Sequence, residues 1–174
     1  MPYTIDPAHS SFEFSVKHMV IASVKGRFAT FDATADIDDA NLPASSATIS
    51  IDAASIDTRD ATRDNHLRSA DFFDVEKFPK ITFQSKKVEA RGNGDYRIVG
   101  DLTIHGVSKE VALDAEVSGP VKDPWGNTRV GVSAQTKINR KDWGLNWNSV
   151  LEAGGLLVGD EVRLNAELEF VKSA

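Results

Sequence analysis

Apolar and polar residues alternate along most of this chain. Phe12, Phe14 and Val16 share one parity, and Glu13, Ser15 and Lys17 take the other. The same two-residue period returns in Val107, Val111, Leu113, Ala115 and Val117, in Val130, Val132, Ala134 and Ile138, and in Val162, Leu164, Ala166, Leu168 and Phe170. Shorter matches lie at Ile49–Ile51, Ile81–Phe83 and Ile98–Ile104. A period of two places alternate side chains on opposite faces of a strand, so each run predicts a strand with one buried and one wet face. Between Val24 and Ile37 the apolar parity changes, at Phe28 and Phe31. One extra residue produces such a change, which predicts a bulge or a sharp bend there.

Turn residues punctuate the runs. "RGNGD", His105-Gly106 and "DPWGN" carry the Gly, Asn, Asp and Pro that hairpin turns require. About eight strands joined in sequence by short turns predict an antiparallel meander. An open sheet of that size leaves two edges unpaired, so closure into a barrel is favoured over the rival two-sheet sandwich. The strands are long, and an eight-stranded barrel is just wide enough for side chains or one slender ligand. No repeat or linker interrupts residues 1–174, which predicts a single domain.

Two stretches depart from the alternation. In "HLRSADFFDVEKFPKITF", Leu67, Ala70 and Phe73 recur at helical spacing, and Phe78 before Pro79 must be extended. This predicts a helix-and-loop excursion at about residues 60–75 that carries Phe72 and Phe73 to an open barrel end. In "DWGLNWNSVLEAGG", Trp143, Trp147 and Val150 or Leu151 also fall at helical spacing, with Gly154-Gly155 as a stop. That segment, about residues 142–155, reads either as core packing or as an aromatic cover over the pore.

Charge and chemistry narrow the function. The net charge is −6 and no dense Lys/Arg patch is visible in the sequence, which argues against a nucleic-acid partner. There is no cysteine, which removes thiolate chemistry. No apolar run is long enough to span a bilayer, so membrane contact is expected to be transient at most. The start has no basic and apolar leader; the expectation is a cytoplasmic protein as written, or a periplasmic one if a leader has been trimmed. His9, His66 and His105 fall in predicted turns and show no metal-ligand spacing. His18 continues the inward parity of Phe12, Phe14 and Val16, and reads either as a contact for a ligand's head group or, preferably, as a strand-end histidine satisfied by backbone. Arg59, Arg63 and Arg68 suit a phosphate or carbonyl head group, but interleaved aspartates favour surface ion pairs. Nucleophile elbows, phosphate loops and dinucleotide fingerprints are absent, so no catalytic residue is assigned.

Four stretches, "FEFSVKHMVIASVKGRFATFDA", "HLRSADFFDVEKFPKITFQS", "GDLTIHGVSKEVAL" and "INRKDWGLNWN…LEAGGLLVGDEVRL", closely resemble the YceI-like family of lipocalin-like isoprenoid-binding proteins. The resemblance implies an all-β fold, an extended eight-stranded antiparallel barrel whose apolar pore holds a polyprenyl phosphate or a quinone tail. No cofactor is expected to be required and no metal is expected from the residues, and the resemblance agrees with a homodimer. Joined to the parities, it gives an expected ligand-binding set of Phe12, Phe14, Val16, His18, Phe28, Phe31, Phe72, Phe73, Phe83, Leu102, Ile104, Leu113, Val132, Trp143, Trp147, Leu151 and Leu164. The expected role is binding, transport or storage of a long isoprenoid. The alternatives are an enzyme acting on an apolar molecule inside the barrel, and a protein-interaction barrel without a ligand.

Overall fold

The structure, a computed structural model, describes residues 1–19, 21–148 and 157–173. The alternating runs become strands β1 (Pro2–Ile5), β2 (Ser11–His18), β3 (Ala22–Phe28), β4 (Phe31–Asp36), β5 (Ser46–Asp52) and β6 (Ile56–Asp57). After helix α1 (Ala61–Arg68) come β7 (Lys80–Gly92), β8 (Asp95–Ile104), β9 (Val107–Lys122), β10 (Thr128–Asn139) and β11 (Val158–Lys172).

These strands form eight staves. β1 and β2 run end to end across a 3₁₀ turn at Pro7–His9, and β5 and β6 do so across another at Ala53–Ser55. β3 and β4 meet at a bend over Ala29 and Thr30, where the parity change predicted an irregularity. On either side of it Phe28 pairs with Ile56 and Phe31 with Ile51, so the bend restores both rings to the inside. All pairings are antiparallel between sequence neighbours, and β11 closes the ring by pairing with β2 along its first part and with β1 along its last. Closure removes the sandwich alternative.

Turn chemistry sets the hairpins. Asn93-Gly94 (φ 55° and 81°) and His105-Gly106 (φ 54° and 73°) both take the left-handed dihedrals that two-residue hairpins need. In the β9–β10 turn, Asp123 Oδ1 accepts the amides of Trp125 and Asn127, each at 2.9 Å.

One end of the barrel is filled. Tyr3, Ile5, Ala33, Ala35, Ile37, Val130, Leu168 and Phe170 are buried there, where β1, β4, β10 and β11 converge. The predicted parities hold. Val111, Leu113, Val132 and Leu164 pack against the core and Leu168 is buried, while Glu110, Asp114, Arg163 and Glu167 are exposed.

At the other end the hydrogen-bonded wall is incomplete. β6 pairs with β3 alone and β7 with β5 and β8, so among the described residues no ladder joins β6 to β7. Helix α1 lies in that gap. Asp60 caps it by accepting the Arg63 amide at 3.1 Å. The helix is shorter than its spacing predicts, and Ala70 and Phe73 fall beyond it in turns. The cause is Ser69, whose amide and hydroxyl both donate to the His66 carbonyl, diverting the chain from the helical ladder.

The described part of the second predicted excursion, up to residue 148, contains no α-helix. Arg140–Trp143 forms a 3₁₀ turn, and Gly144 at φ 78° ends it, so Trp143 and Trp147 do not share a helical face. Leu151 and the Gly154-Gly155 pair lie outside the described residues.

Candidate functional site: an apolar cavity with a polar mouth

Above the filled end, inward-facing side chains enclose a cavity of about 300 Å³, at the lower end of small-molecule sites. Phe12, Phe14, Val16 and His18 of β2 line it from floor to mouth, about 20 Å along the strand at ~3.4 Å per residue. Phe28, Phe83, Leu102, Ile104, Leu113 and Leu164 line the surrounding staves. Phe72, Phe73 and Trp147 lie over the α1 side, with the Phe72 and Trp147 rings 5.4 Å apart and His66 edge-on to both. The aromatic excursions therefore roof the cavity.

Three residues expected at the site do not line it. Phe31 and Val132 keep the inward parity but belong to the packed part of the barrel: Phe31 stands edge-on to Phe12 at 4.8 Å, and Val132 pairs across to Leu168 and Val117. Trp143 is buried as a structural wedge, and its Nε1 donates to the Leu102 carbonyl at 2.9 Å. Satisfying that indole N–H fixes the ring inside the wall.

Among the described residues, the arginines flanking α1 make no surface ion pairs; Arg63 and Arg68 bond to backbone instead, and Arg63 also lines the cavity. Arg68 donates from Nε to the Ala54 carbonyl (2.8 Å) and from Nη2 to that of Ile56 (3.1 Å). Arg63 donates from Nη2 to the Thr58 carbonyl and from Nε to Thr58 Oγ1, both at 2.7 Å. Together they supply the donors that a neighbouring strand would have given to β6, which answers the open sheet edge. Buried Asp64 completes the arrangement by accepting from the Thr58 amide (3.0 Å) and hydroxyl (2.5 Å). Arg59 is exposed.

Sequence reasoning missed Arg140. It shares the parity of Ile138, lines the cavity and is only 3% exposed. Its guanidinium donates to the carbonyls of Leu145, Val158 and Gly159, so it ties together the two chain segments on either side of residues 149–156. Asn148 adds two bonds to Val158. Burial lowers the Arg140 pKa from its ordinary value, and Asp160 opposes that shift. Asp160 Oδ1 stands 3.8 Å from Arg140 and, among the described residues, has no hydrogen-bond partner. A cation breaking an apolar parity at a strand end was the signal available.

The polar side chains facing this cavity, His18, Thr58, Arg63, His66 and Arg140, thus gather at its mouth, and the depth is apolar. A YceI-like domain profile matches residues 3–170. The chain belongs to the YceI-like family. A UPF0312 protein of Staphylococcus aureus is 41% identical over 97% of this YceI-like chain and 96% of its own. The Campylobacter jejuni YCEI protein has the same fold at TM-score 0.79 and 37% identity, over 91% of this chain and 90% of that one. BcnA of Burkholderia cenocepacia superposes at TM-score 0.84 with 25% identity, covering 95% and 98% of the two chains. A domain from Saccharophagus degradans described as polyisoprenoid-binding shares the fold at TM-score 0.75 and 18% identity, over 98% of each chain. Among the described residues of this YceI-like barrel, Asp6, His9 and Glu169 come close enough to share an ion, but Arg129 already occupies that cluster, bonded to Asp6 at 2.8 Å.

Proposed function

We propose that this YceI-like barrel carries or stores a long isoprenoid lipid, tail inward and polar head at the mouth. The observation that carries the reading is the segregation within one cavity, apolar along its depth and cationic only at its opening. Arg63 and Arg140 bond mainly to carbonyls and a hydroxyl, and the nearby carboxylates of Asp64 and Asp160 accept no hydrogen bond from their guanidinium groups; these cations at the mouth would attract a phosphate or a quinone carbonyl. The S. degradans domain illustrates that a barrel of this shape can hold a polyisoprenoid; for this chain the reading rests on its own lining.

Affinity should then grow with chain length. At ~0.3 kcal/mol per heavy atom, each five-carbon unit adds ~1.5 kcal/mol, roughly tenfold in Kd, until the cavity is full. Titrating prenyl alcohols and diphosphates of graded length against the fluorescence of Trp147 measures this. Leu164→Glu, which sets an unpaired charge in the cavity wall, should weaken binding at least a hundredfold in protein that still folds. Affinity independent of length, or tight binding by folded Leu164→Glu protein, refutes the reading.

A further inference from the structure

The mouth end carries a second feature that the cavity does not use. At the turn between β2 and β3, Met19 is 45% exposed and Ile21 86% exposed, immediately beyond the cavity-lining His18. Behind this apolar tip the outer faces of β10, β11, β2 and β3 bear an uneven charge. Lys137 and Arg163 stand directly opposite each other across β10 and β11, and Ser15 and Lys25 continue the same row. Like charges in register repel, yet among the described residues Lys17, Lys25, Lys137 and Arg163 have no carboxylate within ion-pair distance. Glu167 and Glu169 lie on β11 toward the filled end. In the mouth half Glu13 and Glu161 stand among the cations, with Asp57 and Asp114 at its border, and Lys17, Lys25, Arg27, Arg59, Lys137 and Arg163 outnumber them on a chain of net charge −6.

We propose that this tip and the basic face behind it dock the mouth of the barrel on an anionic bilayer surface. The inference deepens the lipid-binding reading by stating where the lipid is exchanged, but the docking surface itself is read from residues outside the cavity. Exposed apolar side chains backed by unpaired cations are the pattern of interfacial binding, in which the apolar groups enter the headgroup boundary and the cations meet lipid phosphates. The opposite end offers exposed Val121 and Trp125 at the β9–β10 turn, but one cation unpaired among the described residues, Lys122, stands beside them, and Arg129 is bound to Asp6 and Asp123. The mouth side carries four unpaired cations against that one, so the mouth is the end that docks.

The test is flotation of the full chain with vesicles of phosphatidylcholine alone or mixed equally with phosphatidylglycerol. Binding is expected on the mixed vesicles only, falling at least tenfold between low and high salt. Replacing Met19 and Ile21 together by Ser should lower the partition about tenfold. Lys137→Gln and Arg163→Gln should each lower it about fivefold, and Trp125→Ser should leave it unchanged. All these side chains are exposed, so thermal melts should match the parent. Equal binding to neutral vesicles, indifference to the tip and cation variants, or release by Trp125→Ser overturns the proposal. Docking that survives while no prenyl chain binds the cavity supports this surface and removes the lipid-carrying reading instead.

Discussion

Gly26 is where the cavity wall is tightest. A methyl group there would sit 2.3 Å from Phe14 Cζ, 2.7 Å from Cε1 and 2.9 Å from Thr58 Cγ2. Ordinary carbon contacts are ~3.5–4.0 Å, so in Gly26→Ala the Phe14 ring must withdraw by over ~1 Å, into the cavity. Overpacking of this kind costs about 1–3 kcal/mol, while alanine in a strand recovers about 0.5–1 kcal/mol over glycine. The net loss is then about 0.5–2 kcal/mol. Phe14→Ala removes the obstacle at its own cost of about 3 kcal/mol, the low end for phenylalanine because the ring is only half-buried. On that background the added methyl still meets Thr58 Cγ2, so Gly26→Ala should cost clearly less than in the parent. Urea denaturation of the four proteins would give a coupling of about 1–3 kcal/mol, the energy of the overlap itself. The single Gly26→Ala protein should also bind the longest prenyl chains less well, because the ring now occupies their space. Additivity within ~0.5 kcal/mol would refute the contact.

Two other perturbations test the frame around the cavity. Arg140→Met leaves the carbonyls of Leu145, Val158 and Gly159 without their donor and Asp160 without its cation; we expect a loss of about 3–5 kcal/mol in urea denaturation, and an unchanged midpoint would deny the clamp. At the filled end, Arg129 holds the carboxyls of Asp6 and Asp123 down to about 2, chiefly through its hydrogen bonds to each. A depressed carboxylate stabilises the fold above its ordinary pKa and loses that contribution as pH falls through the folded value. Tm should therefore drop between pH 4 and pH 2, a window in which His9 is protonated throughout, and the drop should be shallower in Arg129→Met. An equal slope in both proteins would exclude this network as the cause.

The parity of the strands was legible because each inward residue meets a core on the same side in every pair, as Leu164 does opposite Phe14 and Thr136. Height along the barrel was not. Val132 and Ala134 share a parity, but only Ala134 lines the cavity, and alternation carries no record of where packing ends and empty space begins. The helical spacing of Trp143 and Trp147 misled because Gly144 takes a left-handed dihedral between them. Arg63 and Arg68 looked like surface charges beside aspartates, since nothing local announces that β6 lacks a neighbour and that these side chains replace it.

That missing ladder has a mechanical consequence. Around the filled end the staves are laced together by backbone hydrogen bonds, and parting any two of them means breaking a ladder. Between β6 and β7, among the described residues, no ladder has to be broken; widening this wall costs the side-chain bonds of Arg63, Arg68 and Asp64 and the ring contacts of Phe72 and Phe73. The three broken staves lie beside it, each interrupted between its lower and upper strand. Amides of β2, β3 and β6 should accordingly exchange with deuterium ahead of those of β1, β4 and β5. The barrel thus has a seam, which should yield before the end that holds the fold together.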